Sequence, residues 1–154
     1  MKKIILFLFF ILLLSCTKDE RVDYVIYSYP FNQTELSVMQ ITNEHRVSIG
    51  LNTLVPVQHF GYLCYQHNQY MIEKNVVNHD YFIERSTNIT NTYHASSVGE
   101  VIAYNYTTPT SALQAWLNSP GHKQVIEGKF THFGVSVSED SNNHKYYTFI
   151  FAKI

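Results

Sequence analysis

At 154 residues the chain is long enough for one domain around a single hydrophobic core and short for two. Eleven basic side chains against twelve acidic ones leave no concentrated basic face, which argues against a nucleic-acid partner. Two cysteines, Cys16 and Cys64, are too few for a disulfide framework, so the core has to hold itself together.

Eleven uninterrupted apolar residues, Ile4 to Leu14, follow Lys2 and Lys3 and run into Leu13-Leu14-Ser15-Cys16. A helix needs about 20 residues to span a bilayer, so residues 1–15 read as an export signal rather than a transmembrane segment. The pattern resembles a bacterial lipoprotein signal peptide cleaved before Cys16. Cys16 would then carry the lipid, and acyl chains hold a protein at a membrane surface by about 0.8 kcal/mol per buried methylene. The location expected is the cell envelope, lipid-anchored, on the periplasmic face or the cell surface. Residues 16–33 are read as the lipidated cysteine and a tether, because Thr17-Lys18-Asp19-Glu20-Arg21 is too polar to pack. Cleavage would leave a mature chain with nine basic and twelve acidic side chains.

The first helix is predicted to begin at Thr34 as N-cap, to carry Leu36, Met39, Asn43 and Val47 along one stripe, and to stop at a left-handed Gly50. A second helix, from about Val57 to Lys74, sets Phe60, Cys64, His67 and Met71 on one face, which makes His67 core-facing. Cys64, among Leu63, Tyr65 and Met71, reads as a buried small hydrophobe and not a nucleophile. Residues 85–97, rich in Ser, Thr and Asn, read as a long surface loop.

A strand starts around Val98. Thr108 caps a third helix with Pro109 at its first position, burying Ala112, Leu113, Trp116 and Leu117 and ending at Pro120. Gly121-His122 opens an irregular loop. Phe133, Val135 and Val137 alternate with polar residues as a half-buried strand, and Tyr146 to Ala152 returns as a second strand after the polar stretch 139–145. Helices first and strands mainly later give an α+β layered domain. Twelve tyrosines and ten phenylalanines suit either an aromatic core or a groove for an elongated ligand.

Several stretches, in order, resemble the CAP superfamily of cysteine-rich secretory, antigen 5 and pathogenesis-related 1 proteins, also called the SCP domain. They are Asn43-Glu44-His45-Arg46, Gly50-Leu51, His67, His79, Gly99-Glu100, Ala115-Trp116-Leu117-Asn118-Ser119-Pro120-Gly121-His122, Phe130-Thr131-His132-Phe133-Gly134-Val135 and Tyr146 to Phe151. The run from Trp116 to His122 is the most specific of them. The resemblance covers residues 34–154 and implies a three-layer α-β-α sandwich with a central antiparallel sheet. It also implies a cleft in which His79 and His122 meet Glu100, with Glu84 as the second acid. Where the family commonly follows Gly-Glu with Asn, this chain has Val101, so any network around Glu100 must be satisfied differently.

Two imidazoles and two carboxylates in a cleft would suit zinc or another divalent metal, weakly bound because histidine supplies only half of the set. A metal-bound water with Glu100 as base would make hydrolysis conceivable, although no zincin helix or Gly-x-Ser-x-Gly elbow is present. The reading preferred here is a binding module for a lipid or cell-envelope ligand. The alternatives are a metal-assisted hydrolase of peptide or envelope polymer and a surface adhesion protein. His45, His59, His94, His132 and His144 are read as surface residues, with Asn43 and Arg46 bracing the first helix.

Overall fold

The structure, a computed structural model, describes residues 24–154. The export signal 1–15, Cys16 and the charged run 17–21 lie outside the described residues. Helix α1 spans Gln33–Ser48, and its cap is Asn32, two residues before the expected Thr34, because Asn32 and Glu35 form a reciprocal capping box. Gly50 supplies the left-handed stop as expected, with φ +82°. The predicted stripe is rotated, however. Leu36 and Val47 are exposed, and Glu35, Val38, Met39, Thr42 and Arg46 face inward. Two charged side chains occupy the inner face, which an apolar periodicity cannot reveal.

Strand β1 (Val55–Pro56) leads into α2, Gln58–Lys74, whose buried face carries Phe60, Cys64, His67 and Met71 as the spacing predicts. Asn75, in the left-handed region, ends it. The stretch read as a long loop is largely helix α3, Phe82–Tyr93. Ser, Thr and Asn are weak helix formers, but Arg85 and Ile89 sit one turn apart and both are buried, so tertiary packing overrides propensity.

Strand β2 (Ser97–Tyr104) is followed by α4, Pro109–Asn118, capped by Thr108 and Ser111. Helix α5, Pro120–Ile126, replaces the expected irregular loop after Gly121. Pro120 ends one helix and begins the next, since the first position of a helix needs no N–H donor. Strands β3 (His132–Glu139) and β4 (Lys145–Lys153) form the terminal hairpin.

The sheet order is β1-β3-β4-β2. Its three long strands are antiparallel, and β1 adds a two-residue parallel pairing to β3. Strand alternation divides the core in two. Val101, Phe133, Val135, Phe149 and Phe151 pack against Val38, Leu113, Trp116 and Ile126 on one side. Ile150 and Ala152 pack against Phe60, Leu63, Cys64 and Ile89 on the other. The domain is therefore a three-layer sandwich with α1, α4 and α5 on one face of the sheet and α2 and α3 on the other.

Residues 24–31, assigned from the sequence to the tether, lie against the domain. Tyr27 stacks on Tyr62 with centroids 4.2 Å apart, and the Tyr29 hydroxyl donates to Glu35 Oε1 at 2.7 Å. His59, read as a surface residue, is buried beneath this segment. Its Nδ1 accepts from the Tyr27 N–H at 3.1 Å, and its Nε2 lies 2.8 Å from Asn88 Oδ1.

Candidate functional site

Glu100 sits on the even-numbered face of β2, which turns it toward α2 and α3, and its side chain is 1% exposed. His79, in the connection between α2 and α3, places Nδ1 2.9 Å from Glu100 Oε1, with its ring half-exposed. With the carboxylate accepting from Nδ1, Nε2 is the ring nitrogen left for another partner.

The dominant partner of Glu100 is one that the sequence reading passed over. Arg85 on α3 donates through Nε to Oε2 at 2.8 Å and through Nη2 to Oε1 at 2.9 Å, and its Nη1 donates to the Asp80 carbonyl at 2.8 Å. This is a two-pronged, buried ion pair with both partners nearly dry. Its signal in the sequence was the spacing of Phe82, Arg85 and Ile89, legible only once the segment is taken as a helix. Val101, whose presence suggested an altered network, points into the opposite core and touches none of this.

His122 lies in the first turn of α5. It lines a trough of about 320 Å³ together with Val77, Ile102, Tyr104, Tyr106, Ala115, Trp116 and Ser119. Neither His79 nor Glu100 lines this trough, although His79 lies near enough for its charge to act on His122. Burial lowers the pKa of His122, and the nearby charge of His79 lowers it further. Trp116 forms a wall through its ring while its indole N–H donates to the Ile102 carbonyl at 2.9 Å, so it is both core and lining.

Glu84 is exposed on α3. It borders a separate hollow of about 250 Å³ shared with His67, Tyr70, Tyr81 and Arg85. The structure thus brings His79 to Glu100 and leaves His122 in the neighbouring trough without a contact to either, while the acid from α3 is replaced at Glu100 by the neighbouring arginine. His67 donates through Nε2 to the Asn78 carbonyl at 2.8 Å and holds the start of the loop that delivers His79. Burial lowers its pKa, and Arg85 adds to that.

Do these residues fit a resident divalent metal? Among the described residues no three His, Cys, Asp or Glu side chains come close enough to share an ion. Three of the roughly four acceptor positions of the Glu100 carboxylate are taken by Arg85 and His79. Two imidazoles alone fall short of the three protein ligands that even an open catalytic zinc site uses. The donor set does not fit.

Three layers and a His79–Glu100 contact are among the features that the sequence resemblance implied, and residues 39–151 match the profile of CAP, the Cysteine-rich secretory protein family. The chain belongs to this family. It is 33% identical over 124 residues to "Uncharacterized membrane protein YlbC" of Bacillus subtilis, covering 78% of this chain and 34% of that protein. It is 30% identical over 116 residues to "Uncharacterized protein YkwD" of the same species, covering 70% of this chain and 44% of that one. The chain therefore spans less than half the length of either relative.

Among solved structures, an extracellular protein containing an SCP domain from Bacillus anthracis superposes with a TM-score of 0.68 at 25% identity, over 82% of this chain and 45% of that one. An outer surface protein from Borrelia burgdorferi gives 0.69 at 19% identity, over 77% and 90%. The latter likeness establishes the shared sandwich alone. Among the described residues no helix is long and apolar enough to cross a membrane.

Proposed function

We propose that this CAP domain is an exported binding module, held at a membrane through Cys16, whose trough beside β2 takes a lipid or envelope ligand with an apolar body and a polar head. The trough carries the reading. Its walls are Ile102, Tyr104, Tyr106 and Trp116, and its polar groups are His122 and Ser119. The accessible lining is about evenly polar and apolar, a composition that suits a ligand with both an apolar body and a polar head. Tyrosines suit it because the ring contacts the ligand while the hydroxyl stays wet.

Export is supported by the apolar leader ending at Cys16 and by the surface, extracellular and membrane descriptions of the similar proteins. A hydrolytic role is the weaker alternative, because the carboxylate proposed as base is already engaged by a guanidinium. A binding module needs only the trough.

The test is native mass spectrometry of the purified chain incubated with a panel of fatty acids and phospholipids. Retained lipid is expected for the wild type, with loss in Ala115→Trp, which fills the trough, and weakening in His122→Ala. Retention unchanged in Ala115→Trp would move the ligand elsewhere, and no retention of any member would remove the reading. Cys16→Ser is expected to release the protein from the membrane fraction of expressing cells.

A further inference from the structure

We infer that Arg85 is the built-in counter-ion of this cleft, standing where a divalent cation would have to sit to use Glu100, and that the cleft therefore works without a metal. The geometry is specific. Arg85 approaches from α3 and spends all three of its nitrogens on fixed acceptors, two bonds to the Glu100 carboxylate and one to the Asp80 carbonyl. Both side chains are buried, at 8% and 1% exposure, so the pair is closed to solvent and an incoming ion has no open face of the carboxylate to reach.

A guanidinium is always charged and matches a carboxylate in a planar fork, so it balances the Glu100 charge without a metal. A divalent cation would have to displace it or settle beside it, leaving a buried, unpaired arginine in the first case and facing direct repulsion in the second. The carboxylate is thereby recast from ligand to positioning group. Through Oε1 it fixes the His79 ring, and Arg85 fixes the carboxylate. What remains for a ligand is the half-exposed ring of His79, a hydrogen-bonding edge suited to a polar head group rather than to a metal ion.

This deepens the reading of the trough as a ligand site, but its test needs no ligand, so failure of lipid capture and failure here are distinguishable. Zinc ion alone is titrated into the wild-type chain by calorimetry, with Arg85→Gln, Arg85→Lys and His79→Ala alongside and circular dichroism to check folding. The wild type is expected to show no stoichiometric zinc site that depends on His79. Arg85→Gln frees the carboxylate and is expected to raise zinc affinity by about 10–100-fold, the range over which the groups around a metal tune it. Arg85→Lys keeps the charge and stays zinc-poor. One tightly held zinc in the wild type that is lost in His79→Ala would overturn the inference without any arginine variant, and a well-folded Arg85→Gln with no gain would overturn it as well.

Discussion

Gly134 on β3 lies directly under Gly61 on α2. A methyl group added at Gly134 would sit 2.7 Å from the Gly61 nitrogen and 2.5 Å from Phe60 Cβ. On its other side Gly61 is closed by Tyr29 and Phe31, at 2.6 and 2.5 Å from the same kind of added atom. The helix is pressed between the sheet and the segment 24–31, and two absent side chains make that possible. Asn68, Cys64 and Thr148 use the same proximity, with Asn68 donating to the Ser136 carbonyl and accepting from Thr148.

Gly134→Ala is therefore expected to lower stability by about 1–3 kcal/mol, the usual cost of overpacking a filled contact. Gly121→Ala is its control. That position in α5 has nothing within 4 Å of the added carbon and no positive φ, so alanine is expected to stabilise by about 0.4–1 kcal/mol. Urea midpoints of the two variants should move in opposite directions, and a shared direction would refute the packing account.

Arg46 is fully buried, and its acceptors are neutral. Nη1 donates to the carbonyls of Ile126 and Gly128 at 2.7 and 2.9 Å, and Nε donates to the Asn52 carbonyl at 3.0 Å. It ties α1 to the end of α5. Arg46→Met would leave several buried carbonyls without donors, and each such loss costs about 1–3 kcal/mol. A fall of about 3 kcal/mol or more is expected, read by denaturant unfolding, and a change within error would mean that water replaces the guanidinium at those carbonyls.

The bracing role of Arg46 was legible because it lies in the Asn43–Arg46 motif, and Phe60, Cys64, His67 and Met71 revealed the face of α2 by spacing alone. Helix α3 was hidden because its Ser, Thr and Asn residues lower local propensity, and what holds it is Arg85 meeting a strand residue fifteen positions away. The same applies to His59, which looks solvated until Tyr27 and Asn88 are brought to it from distant segments. His79, Glu100 and His122 were accessible through resemblance, but the charge balance of their cleft depended on the hidden helix. Periodicity reports which face is apolar. It is silent on buried charges whose partners lie elsewhere in the chain.

The segment 24–31 is latched by polar contacts, among them the Tyr27 N–H on His59 Nδ1, the Ser28 hydroxyl on Gln58 at 2.6 Å and the Tyr29 hydroxyl on Glu35. His59→Phe removes the first, together with the contact of His59 Nε2 to Asn88, and keeps the ring stacking against Tyr27 and Tyr62. Amide exchange in residues 24–31 is expected to speed up about five-fold to tenfold, corresponding to about 1 kcal/mol for one hydrogen bond, while β3 and β4 stay protected. Unchanged exchange at Tyr27 would show that stacking and the remaining bonds of Ser28 and Tyr29 hold the segment without it.

Acid sensitivity below neutrality should come from His67 and His122. Burial, with the charges of Arg85 and His79 respectively, holds both below the ordinary histidine value of 6.5. His67 already donates through Nε2, and its Nδ1 has no partner among the described residues, so a second proton there would sit in a dry site near a guanidinium. The unfolded chain takes up these protons as pH falls through about 6.5, before the folded chain does. Across the window from about 6.5 down to the lowered folded values the unfolded state binds more protons, so stability falls as pH falls, whereas above about 7 both states are neutral and neither histidine contributes. The slope of unfolding free energy against pH between about 7 and 5 should accordingly be positive and become shallower in His67→Gln. An identical slope in that variant would place the acid sensitivity on other groups, because glutamine keeps a donor for the Asn78 carbonyl and removes only the titration.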